Sequence, residues 1–188
     1  MIQIPLRWAA MVSGEGTNLQ VALDAEKEWK TQSLDLVVAD RPCRALERAK
    51  NAKKSTLLVS QKSEDFQKKV LDAFKSHQIT AVFLLGYQRI LPDEFLRLCP
   101  PLIVNLHPSL LPHYKGQNAL RRAFDEGENQ FGISIHRVVA EVDAGDVLQQ
   151  ITFERQEGEA FESLYQRSRE LEHQLVRTFF FDLEKNEA

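Results

Sequence analysis

The sequence predicts an open α/β sheet with right-handed crossovers, and three observations carry that prediction. Apolar runs of strand length alternate with segments of helical periodicity along the chain. A glycine-bearing turn, Ser13-Gly14-Glu15-Gly16-Thr17-Asn18, separates the first apolar run from the first helical one. The 188 residues suffice for one domain, since a chain of about 150 residues already buries close to 70% of its unfolded surface. Residues 1–188 are therefore read as a single domain. No repeat, low-complexity tract or linker divides it, and composition shifts only in the Pro-rich stretch Pro100 to Pro112.

Trp8 to Val12 reads as a buried strand. Leu19, Val21, Ala22 and Leu23 follow a cap at Thr17 or Asn18 and start a helix. Leu34 to Ala39 is a second strand, Arg44 to Lys53 a charged, Ala-rich helix, and Leu57 to Val59 a short strand. Phe66, Val70, Leu71 and Phe74 recur at helical spacing. Ala81 to Leu85 is the most apolar strand and Leu102 to Leu106 the next. Ala119, Leu120, Ala123 and Phe124 suggest a short helix. Ile133 and Ile135 alternate with Ser134 and His136, which predicts a half-exposed strand. Val147 to Phe153 is a further strand. A long helix spans about Ala160 to Leu183, with Leu164, Ser168, Leu171 and Leu175 on one face and Phe179 to Phe181 read as core.

Composition excludes several classes. Lys+Arg total 24 against 27 Asp+Glu, a net charge of -3, which disfavours nucleic acid as a partner. Cys43 and Cys99 give no disulfide framework and suit a reducing cytosol, and no spacing of Cys or His suggests a metal. Pro5 and Arg7 interrupt the N-terminal segment, so it is not read as a signal peptide. The run Ala81 to Leu85 is too short to span a bilayer. A cytoplasmic protein without metal or membrane partner is expected.

The turn at 13–18 has the chemistry of a phosphate site. Glycine lets backbone N–H groups approach an anion, and the free N–H groups of a helix start favour one. Leu19 stands where a dinucleotide fingerprint has its third glycine, and no Walker lysine is present, so the turn suits one phosphate monoester. A tight turn that binds nothing fits the same residues. Glu15 would repel a phosphate and must point outward if the site is real.

Asn105 and His107 lie two apart at the end of an apolar strand and so share a face, where open α/β sheets bind ligands. An amide donor beside a titratable imidazole can hold the oxyanion of a tetrahedral intermediate. Asp143, in a turn between two predicted strands, can raise the pKa of His107 and help move a proton. A capping Asn, a core-edge His and a turn Asp are the alternative reading. No Ser or Cys sits in a nucleophile elbow, so a covalent acyl-enzyme is not indicated. His136 is read as a structural neighbour without a role.

SGEGTNLQ (Ser13 to Gln20), GYQRIL (Gly86 to Leu91), NLHPSLLPHYKG (Asn105 to Gly116) and VDAGDVLQQ (Val142 to Gln150), in that order and spacing, resemble the phosphoribosylglycinamide formyltransferases, folate-dependent enzymes of purine synthesis. The resemblance runs from about Arg7 to Val176. It implies a single-domain, Rossmann-like, mostly parallel sheet, with the phosphate side in the N-terminal part and the folate side in the C-terminal part. It implies two small-molecule substrates, glycinamide ribonucleotide and 10-formyltetrahydrofolate, the latter as co-substrate. Asn105, His107 and Asp143 would be catalytic. Gly14, Glu15, Gly16, Thr17 and Asn18 would hold the phosphate, and Arg89, Ile90 and Leu91 would line the folate pocket opposite Val138, Val139, Ala140, Glu141, Val142 and Asp143. Glu172 would hold the glycinamide amine, with Arg169 one helical turn away and able to reach the phosphate. The amine would attack directly, with Asn105 and a protonated His107 on the oxyanion, and Asp143 would keep His107 charged and relay the proton through a water from the amine to the leaving nitrogen. Glu15, Gln88, Asn118 and Leu120 depart from the usual family residues, and with the sequence ending at Ala188 the final hairpin of many members is expected to be absent. The alternatives are another folate-dependent formyltransferase, acting on a sugar-nucleotide amine, and a non-catalytic relative that binds phosphate ligands.

Overall fold

The computed structural model describes residues 6–186; Pro5 and the chain's last two residues, on which two of the sequence expectations bear, lie outside it. The elements in chain order are β1 (Leu6–Val12), α1 (Thr17–Ala25), a 3-10 turn (Glu26–Glu28), β2 (Gln32–Ala39), α2 (Arg44–Asn51), β3 (Ser55–Leu58), α3 (Phe66–Ser76), β4 (Ala81–Leu84), α4 (Asp93–Leu98), β5 (Leu102–His107), α5 (Ala119–Asp125), β6 (Gln130–Arg137), β7 (Val147–Glu154) and α6 (Phe161–Asn186). They form one seven-stranded sheet in the order β3-β2-β1-β4-β5-β6-β7. The first five strands run parallel, whereas β6 and β7 join antiparallel. The expected open, mostly parallel α/β architecture is the one observed.

Helices cover both faces. Trp8, Ala10 and Val12 face Leu19 and Ala22 of α1, Ala45 and Ala49 of α2, and Val176, Phe179 and Phe180 of α6. Ala9 and Met11, pointing the other way, face Phe66, Val70 and Phe74 of α3 and Phe95 of α4. This two-sided cover explains why β1 and β4 read as unbroken apolar runs rather than alternating ones. The register of β1 against β2 shifts by one residue, leaving Asp35 unpaired, so Leu34 and Val37 reach the same core although they are three apart. Asp35 is turned to Arg7, whose Nε lies 2.9 Å from its carboxylate.

Two expectations need correction here. β6 is not half-exposed: Phe131 to His136 are all buried. Ile133 and Ile135 pack in the core with α6, while the other face is covered by the segment after β5. Ser134 Oγ donates to the Ser109 carbonyl at 2.7 Å and accepts from Leu111 N at 3.2 Å and Gln150 Nε2 at 2.8 Å. Phe181 is not core. It is 53% exposed, with Lys185 Nζ 4.4 Å from its ring centroid, while Phe179 and Phe180 are buried.

Chain order reverses between β1 and β4. From β1 the chain moves outward to β2 and β3, and returns to pair β4 on the other side. The turns after β1 and β4 therefore diverge at the carboxyl ends, leaving a crevice where open α/β sheets take ligands.

Candidate functional site

A cleft of about 1000 Å³ opens at these carboxyl ends. Asn105 and His107 stand on its floor at the end of β5, on one face as their spacing predicts. Asp143 hangs over them from the connection between β6 and β7, in a left-handed backbone conformation with φ +49°. Its carboxylate lies 3.4 Å from His107 Nδ1 and accepts a hydrogen bond from Gly116 N at 2.8 Å. The acid and the imidazole are thus in direct reach without a bridging group.

His136 belongs to the same cluster, contrary to the expectation that gave it no role. Antiparallel pairing sets His136 directly opposite Asn105, so both project into the cleft. Its Nδ1 lies 2.8 Å from the Arg137 carbonyl and therefore carries the proton, which leaves Nε2 to accept from Asn105 Nδ2 at 3.1 Å. The same Nε2 is 3.3 Å from Asp143 Oδ1. The amide's second N–H has only a long contact, 3.5 Å to Asp143 Oδ1.

Burial pushes the Asp143 carboxyl upward, but the His136 imidazole beside it, the hydrogen bond from Gly116 N and the His107 imidazole outweigh it and hold the group at about 2. For His107 the balance runs the other way. Both ring nitrogens face oxygen: Nε2 lies 3.0 Å from the Tyr114 carbonyl and Nδ1 faces Asp143. These partners favour the imidazolium, yet burial is the larger effect and lowers the pKa below 6.5. Burial thus works against the charge that the sequence reading expected Asp143 to keep on His107.

The turn between β1 and α1 is built around Gly16, whose φ is +70° and whose Hα side abuts α2: a Cβ there would stand 2.5 Å from Ala45 Cβ. Ala45 N in turn donates to the Gly14 carbonyl at 3.1 Å. Glu15 points outward, with its side chain 69% exposed and 3.4 Å from Arg44 Nη1. The repulsion that its charge threatened is therefore directed away from the turn. Asn18 is buried in the cleft wall and donates to Glu172 Oε2 at 2.7 Å. Arg169 binds the same oxygen at 2.5 Å and also meets Thr17 Oγ1. Burial raises the Glu172 pKa, opposed by Arg169 and Asn18. Turn, acid and arginine are thereby brought to one corner.

At the opposite end, Arg89, Ile90 and Leu91 line the cleft facing Val138, Val139, Ala140 and Val142. Ile90 and Val139 are exposed at its lips and Leu91 is buried. Glu141 stands apart from the lining, with its carboxylate 2.9 Å from Lys115 Nζ. Arg89 Nε is 3.0 Å and Arg41 Nη2 2.8 Å from the buried carboxylate of Asp40. Burial raises that carboxyl, but Arg41, Ser13 and Arg89 overcome it and keep it below the usual value. Asp40 is thus engaged by two arginines. Gln88 N donates to Ser13 Oγ at 3.0 Å, tying the two diverging turns together at their base.

An open α/β sheet that gathers an amide, two imidazoles and a carboxylate at its switch-point cleft, with an anion-ready turn alongside, has the equipment of a group-transfer enzyme. Residues 6–179 match the formyl transferase family. The phosphoribosylglycinamide formyltransferase of Bacillus subtilis is 31% identical over 174 residues, covering 89% of each chain. That of Haemophilus influenzae is 32% identical over 173 residues, covering 89% of this chain and 82% of its own. The human trifunctional purine biosynthetic protein adenosine-3 is 30% identical over 175 residues, and only 17% of its length is matched. Among solved structures, glycinamide ribonucleotide transformylase 1 of Geobacillus kaustophilus superposes with a TM-score of 0.89 at 33% identity, covering 95% of this chain and 98% of that one. The chain belongs to the formyl transferase family.

Proposed function

We propose that this protein transfers a formyl group from 10-formyltetrahydrofolate to the amine of glycinamide ribonucleotide, a step of de novo purine biosynthesis, in the cytoplasm. The observation that carries the reading is the cluster of Asn105, His107, His136 and Asp143 within hydrogen-bond reach on the cleft floor. The two ends of the cleft suit two small molecules. The corner of Asn18, Glu172 and the turn at 13–16 suits an amine joined to a phosphate, and the apolar end formed by Ile90, Leu91 and Val139 suits the flat ring of a folate.

In this mechanism the acceptor amine attacks the formyl carbon. Asn105 turns its loosely held N–H to the oxygen on which charge develops, while His136 grips the other N–H and fixes the amide's orientation. The proton lost by the amine is taken up through a water by Asp143. His107, whose ring nitrogens face the Tyr114 carbonyl and Asp143, holds that carboxylate in place. The proton then moves to the departing folate nitrogen as its bond to the formyl carbon breaks. No residue of the chain becomes acylated.

Purified protein with both substrates, followed by the absorbance change of the folate, tests the assignment. Asn105→Ala and Asp143→Asn are expected to lower kcat on the order of a hundredfold or more with much smaller changes in KM. Near-normal turnover in either variant refutes the assigned roles, and absence of turnover in the parent protein refutes the reaction.

A further inference from the structure

Arg169 and Glu172 stand three residues apart on one face of α6. Glu172 is 7% exposed, and its carboxylate has two donors, Arg169 Nη1 at 2.5 Å and Asn18 Nδ2 at 2.7 Å. Asn18 Oδ1 is buried and has no hydrogen-bond partner among the described residues. The corner therefore presents acceptor oxygens from two side chains, and Arg169 supplies the positive charge that balances the carboxylate. A buried acceptor without a donor is costly, and a ligand N–H placed there would relieve it. Such a ligand meets Arg169 already in place. Nη2 of the same guanidinium contacts Thr17, the first residue of α1, beside the turn whose free N–H groups favour an anion. The two other arginines near that turn are engaged with Glu15, Arg44 through its carboxylate at 3.4 Å and Arg48 through its carbonyl at 2.9 Å.

Resting on the acceptor assignment above, we propose that Arg169 exchanges partners during binding: the acceptor's amine replaces it on Glu172, and the released guanidinium takes the acceptor's phosphate. Arg169 is then a specificity-determining residue that couples the two ends of one ligand. An amine alone must displace Arg169 and leave it without a counter-ion. A phosphate alone draws Arg169 away and leaves a buried carboxylate uncompensated. Only a molecule carrying both groups at the right separation satisfies all the charges.

Coupling of the two halves is the test. Calorimetry measures binding of the phosphate-free glycinamide nucleoside to the full-length protein with and without saturating inorganic phosphate. Exchange predicts that phosphate tightens nucleoside binding by about fivefold to a hundredfold, and that binding seen only with phosphate present is the limit of the same effect. In Arg169→Gln the coupling is expected to vanish, and nucleoside alone to bind more tightly than to the parent protein because its competitor is gone. Independent binding of nucleoside and phosphate to the parent protein overturns the proposal, as does coupling that survives in Arg169→Gln. If the parent protein does not bind intact glycinamide ribonucleotide, the acceptor assignment itself fails, an outcome distinct from either of these.

Discussion

Asp143 keeps its charge in a setting that would otherwise neutralise it, and the fold's stability must follow. Its folded value of about 2 lies below the ordinary 3.8. A depressed carboxyl stabilises the fold while it is ionised, so this contribution is complete above about pH 4 and is lost as pH falls toward 2. The shift corresponds to about 2 kcal/mol. His107 acts in the same direction: the fold prefers its neutral form, so stability present above 6.5 declines once acid must charge a buried ring. Urea midpoints are therefore expected to fall on acidification from neutrality, and Asp143→Asn is expected to flatten the part below pH 4. An unchanged slope in that variant would show that the carboxylate is not the group responsible. Asn105 and His107 were legible in the sequence because two polar residues at the end of an apolar run have few places to point. His136 was not. Alternation of Ile133, Ser134, Ile135 and His136 assigns the polar pair to one face but cannot say whether that face meets water or a covered site. Pairing opposite Asn105 decides it, and pairing is a long-range fact.

Among the elements, the turn between β1 and α1 separates structural from ligand-related glycines. Gly16 combines φ +70° with a would-be Cβ contact of 2.5 Å to Ala45, whereas a Cβ at Gly14 meets nothing within 4 Å. Gly16→Ala is expected to cost about 1–3 kcal/mol in chemical denaturation. Gly14→Ala is expected to leave stability within about 0.5 kcal/mol, yet to raise KM for the phosphate-bearing acceptor, because its methyl occupies the space in front of the turn. Equal losses of stability in both variants would contradict this division. The turn itself was readable from its glycines. α4 was not, because six residues carry less than two turns of periodicity, and only Pro92 and the acids Asp93 and Glu94 mark its start. β2 and β3 begin two residues earlier than their apolar runs, at Gln32 and Ser55, since backbone pairing continues through polar side chains.

For the molecule as a whole, α6 fastens the sheet. Phe180 meets Trp29 at 4.4 Å, Trp8 at 5.5 Å and Phe83 at 5.7 Å between ring centroids. Its carbonyl accepts from Gln32 Nε2 at 2.9 Å, and Gln32 Oε1 accepts from Trp8 Nε1 at 3.0 Å, so the polar edge of the buried indole is satisfied through the helix. Phe180→Ala is expected to destabilise by about 3–5 kcal/mol, measured by urea unfolding. Because the ring is not part of the cleft lining, KM of the folded variant is expected to stay near that of the parent. Helix and strand alternation was sufficient to read the α/β class. Strand order was not readable from the residues, since no local feature of β4 records that it returns to pair β1.

Asn105 and His136 oppose each other because β5 and β6 are zipped in one particular alignment. Sliding one strand by a single residue would send the imidazole through to the far side of the layer and strand the amide. Descendants of this chain can lengthen or redecorate the rims of the crevice, but an insertion or deletion within either of these strands would uncouple the reactive groups even where the fold survived. In this protein the alignment of the reactive groups is inherited from the spacing of the backbone itself.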